Sequence, residues 1–130
     1  MRKKVLLMGF KPSTADFKAY PEFTEETLIK AIEKGVNKVK ALDVDLTNHV
    51  EFVYHEGDHE ETENFEKAKG WLKEQAYDII MVGAGVRTNP EKLFFFEKLI
   101  NQVHKLQPQA SICFNTRAAE DAAEAVQRWL

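Results

Sequence analysis

The chain has 130 residues, 44% hydrophobic and 30% charged, with a formal net charge of −3 and a pI near 5.8. That length suits one domain around one core, and the mild acidity offers no basic face for a phosphate backbone, so no nucleic-acid partner is expected. The lone cysteine, Cys113, excludes an internal disulfide and fits a reducing compartment; with no run of 18 apolar residues and no signal-peptide core, a cytoplasmic protein with no membrane partner is expected.

In chain order, residues 4–9 read as the first strand, with Val5, Leu6, Leu7 and Met8 apolar on both faces and Gly9 closing the run. The preceding Arg2-Lys3-Lys4 cluster reads as solvated. Residues 10–23 form a loop carrying Lys11, Ser13, Thr14, Asp16 and Lys18 among Phe10, Phe17 and Tyr20. Such a loop is either pinned to the surface by its rings or folded over a ligand. Thr24 then caps a first helix to about residue 42, with Glu25 and Glu26 at the positive end of its dipole. Leu28, Ile29, Ile32, Val36 and Val39 keep helical spacing, and Gly35 is a mild interior defect.

The second strand has two candidates, residues 44–46 and 50–54; the later one is preferred, with the earlier as lead-in or bulge. A second helix covers residues 59–75, with Phe65, Ala68, Leu72 and Ala76 on one stripe and Trp71 beside it. Residues 77–82 form the central strand, whose Ile79, Ile80, Met81 and Val82 show no polar alternation. A third helix starts at Pro90, capped by Thr88-Asn89, and ends before Pro108. Leu93, Phe96, Ile100 and Val103 make its stripe, widened by Leu99 and Leu106. Phe94 and Phe95 carry apolar character most of the way round, which points to a homodimer contact there, against simple burial under a loop. Residues 110–114 are the fourth strand. Residues 118–130 are the fourth helix, with Ala119, Ala122, Ala123, Val126 and Trp129 inward.

Four strands alternating with four helices imply a three-layer α/β/α domain spanning residues 1–130. Its doubly wound parallel sheet of four strands takes the order 2-1-3-4, a flavodoxin-like or Rossmann-like pattern one strand short. Ligands of such sheets bind beyond the carboxyl ends of the strands, where the strand order reverses. That point lies between strands one and three.

The loop after the central strand reads Gly83-Ala84-Gly85-Val86-Arg87-Thr88-Asn89-Pro90. Two glycines let backbone approach a ligand, a helix start can face an anion, and a guanidinium binds carboxylate or phosphate bidentately. It is neither G-x-G-x-x-G nor a phosphate-binding loop ending in Gly-Lys-Ser/Thr. Asn115-Thr116-Arg117 repeats the arrangement after strand four. The site expected from these residues takes backbone N–H groups from Gly83 to Arg87 and charge from Arg87 and Arg117. Asn89, Asn115, Thr116, Lys11 and Ser13 would orient the ligand. A tight turn with surface arginines paired to acids such as Asp16 or Glu120 is the plainer alternative. Cys113 reads as a small buried hydrophobe.

His55-Glu56-Gly57-Asp58-His59 matches H-E-x-x-H letter for letter. That zinc motif needs both histidines on one face of a continuous helix. Here a strand precedes it, Gly57 interrupts, and Asp58 with Glu61 reads as a cap and its capping-box partner. Metal affinity at His55, Asp58 and His59, and with it a metal-dependent hydrolase, is a further alternative.

The strings I-I-M-V-G-A-G-V-R-x-N-P-E (from Ile79), F-E-K-L-I-N-Q-V-H (from Phe96) and I-C-F-N-T-R-A-A-E-D-A-A-E-A-V-Q-R-W-L (from Ile112) resemble a group of small bacterial proteins of uncharacterised function. The resemblance covers about residues 77–130. It implies an α/β fold and a bacterial origin and carries no activity with it. Together these readings make the expectation a small anionic molecule, phosphate- or carboxylate-bearing, at the carboxyl edge of strands one, three and four. The protein would then be a binding module or a small hydrolase or transferase. A non-catalytic interaction or regulatory domain dimerising through the third helix is the alternative, and no cofactor is assigned.

Overall fold

The computed structural model describes residues 2–12, 17–18, 21–52, 65–116 and 120–130. Along them run β1 (Lys3–Phe10), α1 (Glu25–Lys40), β2 (Val44–Phe52), α2 (Phe65–Glu74), β3 (Ile79–Val82), α3 (Ala84–Thr88), a 3-10 turn (Pro90–Lys92), α4 (Leu93–Leu106), β4 (Ser111–Phe114) and α5 (Ala122–Gln127). The strands form one parallel sheet in the order β2-β1-β3-β4. The expected doubly wound order is therefore present.

Residue parity along the strands divides the core. Leu6, Met8, Ile80 and Val82 face α2 and α4, packing with Phe65, Ala68, Leu72, Phe95, Leu99 and Val103. Val5, Leu7, Ile79, Met81 and Cys113 face the other way, against Val39 of α1 and Ala122, Ala125 and Val126 of α5. Successive strand residues point to opposite faces, and here both faces are covered. That is why the central strands carry apolar residues at every position.

Three features differ from expectation. The two candidates for the second strand are one strand, β2. Val5 pairs with Leu46 but Leu6 pairs with Asn48, so β2 holds one extra residue at position 47, a bulge that lets both halves stay on β1. The glycine turn after β3 is itself a short helix, α3. The buried stripe of α4 is also rotated. Phe95, Leu99 and Val103 point into the core, while Leu93 and Phe94 are 52% and 64% exposed. Phe95 is fully enclosed by its own chain, with Phe52, Phe65 and Phe10 rings at 5.1, 5.9 and 5.7 Å. Of the two phenylalanines assigned to a dimer contact, only Phe94 reaches the surface.

Smaller shifts follow the same packing logic. Ala76 lies beyond the end of α2 and is exposed, and Trp129 is half exposed beyond α5. Thr24 caps α1 as expected, but its box partner is Thr27: the Thr24 hydroxyl accepts from the Thr27 N–H at 3.2 Å, and the Thr27 hydroxyl accepts from the Thr24 N–H at 2.9 Å.

At the amino edge one buried side chain ties three elements together. Gln107 Oε1 accepts from the Tyr77 N–H at 2.9 Å, and its Nε2 donates to the Leu72 carbonyl at 2.8 Å and to the Gln75 carbonyl. The end of α4 thereby satisfies the last turn of α2 and the start of β3 at once. Among the described residues, no helix is long and apolar enough to cross a membrane.

Candidate functional site

The carboxyl edge is built where β3 turns into α3. The Gly83 N–H donates to the Met8 carbonyl of β1 at 2.7 Å, and a Cβ on residue 83 would lie only 3.2 Å from that oxygen. Glycine is therefore used here for close approach of two strand ends. It serves as the N-cap of α3 without a side-chain cap of its own. The missing cap is supplied from β4: Asn115, fully buried, accepts the Ala84 N–H on Oδ1 at 2.7 Å. Thr88 closes the helix by donating its hydroxyl to the Ala84 carbonyl at 2.7 Å.

Arg87 extends from α3 over β4. Its Nη2 donates to the Asn115 carbonyl at 2.9 Å, and its guanidinium carbon lies 5.8 Å from the centre of the Phe114 ring. Carbonyl and ring together fix the plane of the guanidinium. Its Nε is buried and has no hydrogen-bond partner among the described residues. Nor does any carboxylate lie within ion-pair distance of Arg87 among them.

The other expected contributors divide. The amides of Gly83, Ala84, Val86 and Arg87 all have acceptors inside the chain, the last two on the Gly83 carbonyl at 3.1 and 3.4 Å. These amides are thus used inside the fold, the first two in tying α3 to the ends of β1 and β4 and the last two in closing its own turn. Gly85 sits beside Phe10, whose ring would lie 3.7 Å from a Cβ there. Asn89 is buried and accepts the Glu91 N–H at 3.0 Å, capping the turn whose first residue is Pro90, as expected. Thr116 gives its N–H and hydroxyl to Asp121, at 2.9 and 2.7 Å. The Lys11 N–H donates to the Phe52 carbonyl at 2.7 Å, joining the ends of β1 and β2, with its side chain exposed. Ser13, Arg117, His55, Asp58 and His59 lie outside the described residues. Among those described, no group of three or more metal-ligating side chains comes together.

The structure adds a residue that the sequence reading passed over. Lys92, in the turn between α3 and α4, is only 1% exposed. Extending the α4 stripe of Phe95, Leu99 and Val103 back one turn reaches position 92, so the helical spacing held the signal. The start assigned at Pro90 hid it. Burial of an ammonium is costly enough to be uncommon away from functional or paired settings.

Cys113 is buried as expected, and burial pushes its thiol up to about 11, so it stays a neutral thiol near pH 7. A surface hollow of about 510 Å3 runs along the outer face of α1, lined by Lys30, Glu33, Lys34, Asn37, Lys38 and Ala41. Five of them lie on α1 and Ala41 is its C-cap, all open to solvent and separate from the carboxyl edge. No family model, curated protein or solved structure matches the chain.

Proposed function

We propose that the carboxyl edge of the sheet binds a small anion bearing phosphate or carboxylate, with Arg87 as its fixed cation. The guanidinium itself carries this reading. It is half-buried and oriented by the Asn115 carbonyl and the Phe114 ring, with Nε lacking an acceptor and no carboxylate in reach among the described residues. Holding a charge there carries a desolvation penalty, which an anion seated against the guanidinium would offset. Fold geometry supports the same place. α3 spans from Phe10 at the end of β1 to Asn115 at the end of β4, across the point where the strand order reverses.

A binding or sensing module fits better than a hydrolase or transferase. Asp121, a carboxylate at this edge, already accepts the Thr116 N–H and hydroxyl, which holds it away from general-base work. The test is a thermal-shift comparison of the wild type and Arg87→Met with inorganic phosphate, phosphorylated metabolites, nucleotides and carboxylates. Mass action predicts that one class raises the wild-type melting temperature saturably and leaves Arg87→Met unmoved. Equal shifts in both proteins, or none in either, would reject the reading.

A further inference from the structure

Bulges are uncommon between parallel strands, and the bulge in β2 decides which side of the sheet its side chains enter. Val44 and Leu46 pack on the α1 and α5 side, while Val50 and Phe52 pack on the α2 and α4 side. All four are even-numbered, so a strand without an extra residue would send them to one side. The apolar residues therefore require one extra residue between Leu46 and Val50, and they leave its place open. Leu6 and Leu7 of β1 pair with two of the three residues Thr47, Asn48 and His49, and any of the three could be skipped without moving an apolar side chain. Position 47 is the one skipped: Leu6 pairs with Asn48 and Leu7 with His49.

We infer that the hydrogen bond between Asn48 and Tyr77 fixes this choice and so sets the pairing of β2. Asn48 Nδ2 donates to the Tyr77 hydroxyl at 2.6 Å. Opposite Leu6, Asn48 lies on the α2 and α4 side, where Tyr77 is buried in the same cluster. Skipping Asn48 takes it out of the ladder, and skipping His49 sets Asn48 opposite Leu7 on the other side of the sheet. Either change breaks the bond and leaves polar groups without partners on the core side. Only the observed pairing keeps it. Tyr77 is a firm post for this purpose. Its N–H donates to Gln107 Oε1 at 2.9 Å and its carbonyl accepts from Gln109 Nε2 at 3.3 Å, so the segment leaving α4 holds both backbone groups of the residue. Through one phenol that segment governs the strand at the far edge of the sheet.

Cross-strand proton contacts in magnetic resonance spectra of the full chain read the pairing directly. The wild type is expected to show Leu6 beside Asn48 alone. Tyr77→Phe keeps the ring and removes only the hydroxyl. Leu6 should then show contacts to both Thr47 and Asn48, and amide exchange at residues 47–49 should quicken about fivefold to tenfold, with Ile80 and Cys113 little changed. Combining Thr47→Asn with Asn48→Thr moves the side-chain amide one place along the strand, and Leu6 should then pair with position 47. Wild-type pairing and exchange in Tyr77→Phe, or Leu6 still opposite position 48 in the double variant, would overturn the inference. So would a uniform quickening across β1, β2 and β3 with the pairing unchanged, since the bond would then add stability and nothing more. The double variant alters no buried apolar residue, so it decides the matter even if Tyr77→Phe fails to fold.

Discussion

Asn115 shows how much one side chain can decide. It caps α3 through its amide oxygen and orients Arg87 through its own carbonyl, so the position of the cation depends on it twice. Replacing it by alanine leaves the Ala84 N–H without its acceptor in a fully buried setting. A lost buried acceptor of this kind costs about 1–3 kcal/mol. Asn115→Ala should therefore lower the urea midpoint at an unchanged denaturant slope. A midpoint equal to the wild type would mean that α3 is held by other contacts. Asparagine after β4 was legible as a candidate ligand contact, but its capping role was not, because α3 and β4 are 31 residues apart at that bond and only the sheet order brings them together. Lys92 was hidden for a local reason. Lysine at the head of a helix reads as solvent-facing until the stripe it continues is known to be the buried one.

At the scale of elements, strands were the more readable. Ile79, Ile80, Met81 and Val82 admit little but a strand buried on both faces, and β3 is one. β2 was read in two pieces because its bulge at position 47 shifts the residue parity halfway along, so neither half shows the pattern of a whole strand. The face of α4 was misjudged because four consecutive apolar residues, from Leu93 to Phe96, fit more than one stripe. Packing against Phe52 and Phe65 chose Phe95. Gln107 tests how these elements are joined. Gln107→Leu keeps the volume and removes the acceptor of the Tyr77 N–H and the donor for the Leu72 and Gln75 carbonyls, one bond set joining α4 to the end of α2 and the approach to β3. Unfolding should become easier by about 2 kcal/mol or more, read by chemical denaturation. Amide exchange should quicken first at the end of α2 and the start of β3. A uniform change across the sheet would instead indicate lost packing alone.

For the whole molecule, the order β2-β1-β3-β4 follows from alternating elements and right-handed crossovers, and it was readable from the pattern of strands and helices alone. That order assembles the carboxyl edge from three segments distant in sequence. What the alternation could not reveal is how the connection after β3 folds down. Its first two amides bind the ends of β1 and β4, and its arginine carries a charge unmatched by any carboxylate among the described residues. The central claim is that an anion lodges against that guanidinium. Nitrogen–proton spectra of the arginine side chains during a phosphate titration test it most directly. The chain has four arginines, and the Arg87 Nε–H signal is identified by its loss in Arg87→Lys. The account predicts that this signal moves and saturates while those of Arg2 and Arg128 stay in place. An Arg87 signal that does not move, or arginines that all drift together without saturating, would contradict it.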